Sequence, residues 1–290
     1  MANTKDIKKR IKSTKSIEKI TAAMKMTSTT KLKKYQQAAE MARPYSDKLT
    51  DMVRILSAGS GQMNNPLFEV REKKNALFIV IGAEGGLCGS YNANVIRKAE
   101  ESVARNRAQG AEIAVIPCGK KCAAYFRGKK DVEIPMSVGD LSRISFKKVE
   151  AVIDLVKARF ENKEADAVYL IYSQFVSAMS QKPVVSKLLP MTPRHEGIID
   201  SSRLTVDMIF EPGMNEILEA LLPRYLNTVV FHAMTEALAS EYGARMTAMT
   251  AANTNARDLL GELSLQYNKA RQAIITNELI DIVNGVSGVK

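Results

Sequence analysis

The sequence predicts an α/β protein in which a Rossmann-like, mostly parallel sheet domain is inserted between two long terminal helices that form an antiparallel coiled coil. Three observations carry this expectation. From Asn215 to Ser287 no turn cluster breaks a pattern of apolar residues at three- and four-residue spacing. Residues 1 to about 58 are helical in pattern as well. Between them, short apolar runs alternate with helical periodicities, the order that builds a parallel sheet with crossover helices.

The first helix carries a heptad seam at Tyr35, Ala38, Ala42, Tyr45, Leu49, Met52 and Leu56. Traced back, the frame passes Met24, Thr21 and Ile17, with weaker Ser28 and Lys31 between. Gly59-Ser60-Gly61 and Asn64-Asn65-Pro66 mark its stop. Residues 76–81, 112–117 and 167–172 read as buried strands, and Pro183–Leu189 as an edge strand whose proline is tolerated at a strand start. Residues 92–109 and 145–162 supply crossover helices. In the last helix Ala256, Leu260, Leu263, Tyr267, Ala270 and Ile274 form a seam that Ile275, Leu279 and Ile282 continue one position over. The organisation expected is therefore a coiled-coil helix over 1–58, an α/β domain over 70–210 and a second coiled-coil helix over 213–287. Pro44 and Pro223 lie inside the two helices and bend or loosen them, breaks at those points being the alternative.

A helix of the final segment's length spans about 100 Å, whereas a globule of 290 residues has a radius of gyration of about 19 Å. Such a helix has to leave the body of its protein, which argues for a shaft, arm or filament.

Composition excludes several classes. No stretch approaches the apolar length of a membrane span, and the Lys-rich start lacks the apolar core of a secretory signal. Cys88, Cys118 and Cys122 do not form a disulfide framework, and with only His195 and His232 in the chain no zinc constellation is expected. Of the net charge of +11, +9 falls between Met1 and Lys34, where eleven Lys/Arg face only Asp6 and Glu18. A basic helix fits nucleic acid or an anionic membrane. The same helix carries a buried seam and a single aromatic, Tyr35, so an acidic protein partner explains the charge as well. No nucleic-acid partner and no direct membrane insertion are expected.

After the first strand, Gly82-Ala83-Glu84-Gly85-Gly86-Leu87-Cys88-Gly89-Ser90-Tyr91-Asn92 leads into a helix. Strand, glycine turn and helix is the arrangement that cradles phosphate. Here the loop lacks the Lys-Ser/Thr pair of a P-loop and the spacing of a dinucleotide fingerprint, and its glycines serve tight backbone geometry equally well. No Ser/His/Asp set is available from two scattered histidines, and no cofactor is expected. From Tyr242 to Ala256 only Arg245 is charged, and the rest are small or flexible. Such a surface suits either a tight helix crossing or a bearing enclosed by other chains.

Several motifs, in order, complete the reading. They are Ile7-Lys8-Lys9-Arg10-Ile11, Lys19-Ile20-Thr21-Ala22-Ala23-Met24-Lys25-Met26, Gly86-Leu87-Cys88-Gly89 with Tyr91-Asn92, and Ser240-Glu241 with Ala244-Arg245-Met246. Ala248-Met249, Asn255-Ala256, Tyr267-Asn268-Lys269-Ala270-Arg271-Gln272-Ala273, Ile275-Thr276-x-Glu278, Asp281-Ile282-Val283 and Gly285 follow. Across essentially its whole length the chain resembles the gamma subunit of F-type ATP synthases, the central rotor shaft. It departs at Gly82-Ala83-Glu84, where the family usually has Ser-Asp, and at Gly285-Val286, where Gly-Ala is usual. The resemblance implies a central rotating stalk that couples proton flow through the membrane c-ring to ATP synthesis or hydrolysis in the alpha/beta ring. It implies no active site on this chain. The partners implied are the alpha and beta subunits, the epsilon subunit and the membrane c-ring, on the cytoplasmic face of a bacterial plasma membrane. Met24, Lys25, Arg245, Arg271, Gln272 and Thr276 match the positions that touch the catalytic ring, and Phe210 and Glu211 match the foot near the c-ring and epsilon. A coiled-coil scaffold with a Rossmann-like head, and a nucleotide-dependent enzyme using the glycine loop, are the alternatives.

Overall fold

The computed structural model describes residues 4–59, 65–191, 211 and 213–287. The chain divides into two compact units, Met1–Ser28 with Arg245–Lys290 and Thr29–Ala244, and both divisions fall inside helices. The long terminal helices are α1 (Thr4–Gly59) and α5 (Met214–Ser287), each continuous through its interior proline.

In the first unit, α1 and α5 form an antiparallel pair. Asn253 Nδ2 donates to the Glu18 carbonyl at 2.8 Å and to Thr21 Oγ1 at 3.1 Å, and Arg257 reaches the Glu18 carboxylate at 3.0 Å. Thr21 thus meets Asn253 while Glu18 reaches on to Arg257, so the helices run in opposite directions. Burial follows a strict heptad on both. α1 buries Ile7, Thr14, Thr21 and Ser28, with Ile11 and Glu18 half-buried. α5 buries Met249, Asn253, Ala256 and Leu263, with Leu260, Tyr267 and Ala270 half-buried, as its seam predicts. Beyond Ala270 the expected seam is bare: Ile274, Ile275, Leu279 and Ile282 are 42, 47, 58 and 63 % exposed.

The α1 seam is correct on one row and displaced on the other. The row through Tyr35, Ala42, Leu49 and Leu56 is inward, but Ile17, Tyr45 and Met52 are exposed. The second row runs one position later, through Leu32, Ala39, Ser46 and Val53. Positions three and four residues on flank the same stripe of a helix. The small Ala39 and Ser46 allow closer approach than Tyr45 and Met52.

In the second unit the sheet is β1 (Asn75–Ile81), β2 (Glu112–Cys118), β3 (Ala167–Phe175) and β4 (Gln181–Leu189), ordered β2-β1-β3-β4. β1 pairs parallel with β2 and β3, and β4 pairs antiparallel with β3. α2 (Tyr91–Ala108) connects β1 to β2, and α3 (Lys120–Arg127) and α4 (Phe146–Glu161) connect β2 to β3. The two crossovers step in opposite directions from β1, so right-handed connection puts α2 and α4 on opposite faces. β1 is buried on both faces and reads as a continuous apolar run. Phe78, Val80, Val115 and Ile171 form one core with Val95, Ala99 and Val103 of α2 and with Cys122 and Phe126 of α3. α4 buries Val149, Val152, Ile153, Val156 and Phe160. Asp166 fixes the start of β1, accepting the Lys74 and Asn75 N–H groups at 3.0 and 2.8 Å. The edge of β2 is covered by a segment exchanging bonds through Glu133 and Val138. α3 is not anticipated by the sequence pattern, its eight residues giving only one inward pair, Cys122 and Phe126.

Candidate functional site

Of the residues expected to meet partners, five lie in the first unit's helices with at least part of their surface open. Met24 is half-buried, and Lys25, Arg271, Gln272 and Thr276 are exposed. Arg245 is 8 % exposed, so its guanidinium is held within the fold rather than projected from it. Glu211 is exposed, and Phe210 lies outside the described residues. From Arg271 to Leu279 every residue of α5 is exposed, and the apolar ones continue through Ile280, Ile282 and Val283. Against this, α1 in the same unit turns Lys5, Lys8, Lys9, Arg10, Lys12, Lys15, Lys19 and Lys25 outward. The unit therefore offers two unlike surfaces, an apolar helix end and a basic flank.

The glycine loop is closed on its own side chains. Asn92 Oδ1 accepts the Ala83 N–H at 3.0 Å, while its amide nitrogen lies 3.4 Å from the Gly85 carbonyl and 3.2 Å from the Cys88 sulfur. Glu84 accepts the Leu141 N–H at 2.9 Å, which adds a carboxylate to the loop. The chain turns through the left-handed region at Leu87 and Gly89, φ +60° and +58°, and leaves Leu87 exposed. Gly82 is required by close approach, since a methyl there would overlap the Cys122 sulfur. The side-chain amide thus binds groups of the loop itself and the carboxylate a neighbouring N–H, and Gly82 serves packing.

Cys88, Cys118 and Cys122 are free and buried, and burial pushes the Cys122 thiol up to about 12. Burial, reinforced by Cys122 and Glu84, raises Cys118 further. Such thiols are inert at neutral pH. Among the described residues no group of His, Cys, Asp and Glu is placed to hold a metal. Most shifted carboxyls belong to surface pairs. The Tyr125 hydroxyl and then Lys129 hold Glu100 below its usual range, and Arg159 does the same for Glu133.

One polar cluster escapes the sequence reading. Glu236 of α5 lines a crevice of about 150 Å³ with Gln36, Glu40, Arg43, Phe175 and His232. Burial raises its carboxyl, opposed by His232, the Tyr172 hydroxyl, the Phe175 N–H and Arg43. Burial and then Glu236 push the Tyr172 phenol well up. No spacing signals this cluster, because its members come from α1, β3 and α5.

A family model described as ATP synthase matches residues 3–289. The ATP synthase gamma chain of Pelotomaculum thermopropionicum is 40 % identical over 290 residues, covering all of both chains. That of Moorella thermoacetica is 42 % identical over 294 residues, again covering both completely. The chain belongs to the ATP synthase gamma chain family. The gamma-chain fold also appears among solved structures. A chain from the Euglena gracilis mitochondrial ATP synthase, OSCP/F1/c-ring in rotational state 3, matches with a TM-score of 0.69 at 19 % identity, covering 99 % of this chain and 94 % of that one. A chain from the central stalk/c-ring of the Tetrahymena thermophila mitochondrial enzyme matches with a TM-score of 0.59 at 24 % identity, covering 80 % and 99 %. No helix among the described residues of this chain is long and apolar enough to cross a membrane.

Proposed function

We propose that this chain is the central rotating stalk of an F-type ATP synthase, coupling proton flow through a membrane c-ring to ATP synthesis or hydrolysis in a ring of alpha and beta subunits. One observation carries the reading beyond family membership: α5 continues past Ala270 as a helix whose Ile274, Ile275, Leu279, Ile280, Ile282 and Val283 are all exposed. A row of this kind requires a surrounding apolar sleeve, which the alpha/beta ring supplies. Met24, Lys25, Arg271, Gln272 and Thr276 are its contacts with that ring, Arg245 meeting it only through the 8 % of its surface left open, and the basic flank of α1 faces acidic beta-subunit segments. The α/β domain, with Phe210 and Glu211 at its foot, joins the epsilon subunit and the c-ring on the cytoplasmic face of a bacterial plasma membrane. The chain has no active site of its own. It transmits coupling free energy by presenting a different face of an asymmetric coil to each catalytic subunit.

The test is reconstitution with matching alpha and beta subunits and a probe on the α/β domain. Stepwise, unidirectional rotation during ATP hydrolysis is expected, and assembly without rotation would return the chain to a static scaffold. In the complete enzyme, replacing the exposed Arg271 and Gln272 together by Ala weakens ATP-driven proton pumping without unfolding the subunit. Unchanged pumping removes those two residues from the contact set.

A further inference from the structure

Within the second unit, α5 meets the α/β domain at Phe231, beside Phe146 of α4, and over Glu236–Gly243, where several contacts are polar and directional. Ser240, with no exposed surface, donates its hydroxyl to the Ser173 carbonyl of β3 at 2.8 Å. Three residues earlier, the Ala237 carbonyl accepts the hydroxyl of Tyr91, the first residue of α2, at 3.0 Å. Beside it, Glu236 engages the Tyr172 hydroxyl and the Phe175 N–H. Gly243 completes the stretch: a Cβ there would lie in ordinary contact, 3.4 Å from the backbone of Ala178, so the helix passes within a methyl's width of the chain after β3.

Apolar burial is non-directional and holds a helix against a sheet without strongly fixing its rotation about its own axis. Hydrogen bonds weaken steeply as they bend. Bonds from one helical stretch to β3 and to α2 pin the azimuth of α5 from two sides. Both acceptors are backbone carbonyls, so removing either hydroxyl leaves a buried acceptor without that bond, at a cost of about 1–3 kcal/mol.

We propose that Glu236–Gly243 is a torsional joint, in which Ser240, Tyr91 and Glu236 are positioning residues that lock the rotation of α5 to the α/β domain. The joint rests on the rotor reading, in which torque must pass between shaft and head. The test uses the complete ATP synthase carrying Ser240→Ala with Tyr91→Phe, and separately Ser240→Ala alone as the milder variant. Four quantities are measured: ATP hydrolysis without load, the opposing proton-motive force at which ATP-driven pumping stalls, the angular spread of a probe on the α/β domain during dwells, and the thermal midpoint of the subunit. The expected result is unchanged unloaded hydrolysis, a thermal midpoint lowered by only a few degrees, a shift of the stall to lower opposing force and a broader angular spread. Unchanged stall and spread overturn the joint. So does a parallel loss of hydrolysis, pumping and thermal stability, which marks the bonds as structural only. A wild-type complex whose probe does not rotate overturns the rotor reading itself, and the joint with it.

Discussion

At Gly119 the backbone sits at φ +95°, and a Cβ would lie 2.6 Å from the Gly82 carbonyl oxygen. Both the conformation and the space demand glycine, so Gly119→Ala is expected to destabilise the chain by about 1–3 kcal/mol. A denaturant midpoint equal to wild type would contradict that. Sequence reasoning settled on the glycines after β1 because they cluster; Gly119 stands alone, and its need arises only when β2 and β1 lie side by side. Glu236 makes a second prediction, in pH. Its folded carboxyl is raised, with burial outweighing His232, Tyr172, the Phe175 N–H and Arg43, while Glu40 adds a further carboxylate to the crevice. The folded state therefore holds the proton more tightly than the unfolded one. Its contribution to stability is complete below the ordinary glutamate value and is lost as pH rises through the folded one. Glu236→Gln should gain stability relative to wild type as pH rises through that window. Urea midpoints for both proteins, taken at several pH values, should diverge; parallel curves would place the ionisation elsewhere.

Elements were legible wherever they buried a repeating stripe. The strands were visible because β1 is apolar on both faces, and the α5 seam because Ala256, Leu260, Leu263 and Tyr267 have no rival row. α1 has two rival rows, and the larger Tyr45 and Met52 drew the reading away from Ala39 and Ser46. Polar residues in the seam of the first unit were legible only as weak positions, yet Asn253 is its most specific member. Its two donations, to the Glu18 carbonyl and Thr21 Oγ1, tie the register of α5 to α1. Asn253→Ala should cost about 1 kcal/mol. It should also speed hydrogen exchange at residues 18–25 more than anywhere in the sheet, and uniform acceleration across both units would contradict a local role.

At the scale of the whole molecule, the last buried residue described in α5 is Leu263 and the last half-buried one is Ala270. A chain terminated in place of Arg271 should therefore melt, when isolated, within about 0.5 kcal/mol of the full-length protein. It should nevertheless lose affinity for an alpha/beta ring. A large drop in isolated stability would show that the terminal turns fold back on this chain. That surface marks the limit of reading one chain: apolar residues at helical spacing announce burial, but not whether the cover is internal. What pointed outward was the length of the helix and the resemblance of the motifs at Gln272 and Thr276.

The seven-residue repeat of the first unit also has a handedness. Ile7, Thr14 and Thr21 on one helix, and Met249, Ala256 and Leu263 on the other, stay inward at an interval over which the α-helix falls about 20° short of two full turns. Two helices that keep such rows in contact wind about each other to the left. A rope laid to the left tightens when twisted with its lay and opens when twisted against it. If this pair carries torque, clockwise and anticlockwise loads meet different springs, and making ATP strains the coil differently from spending it.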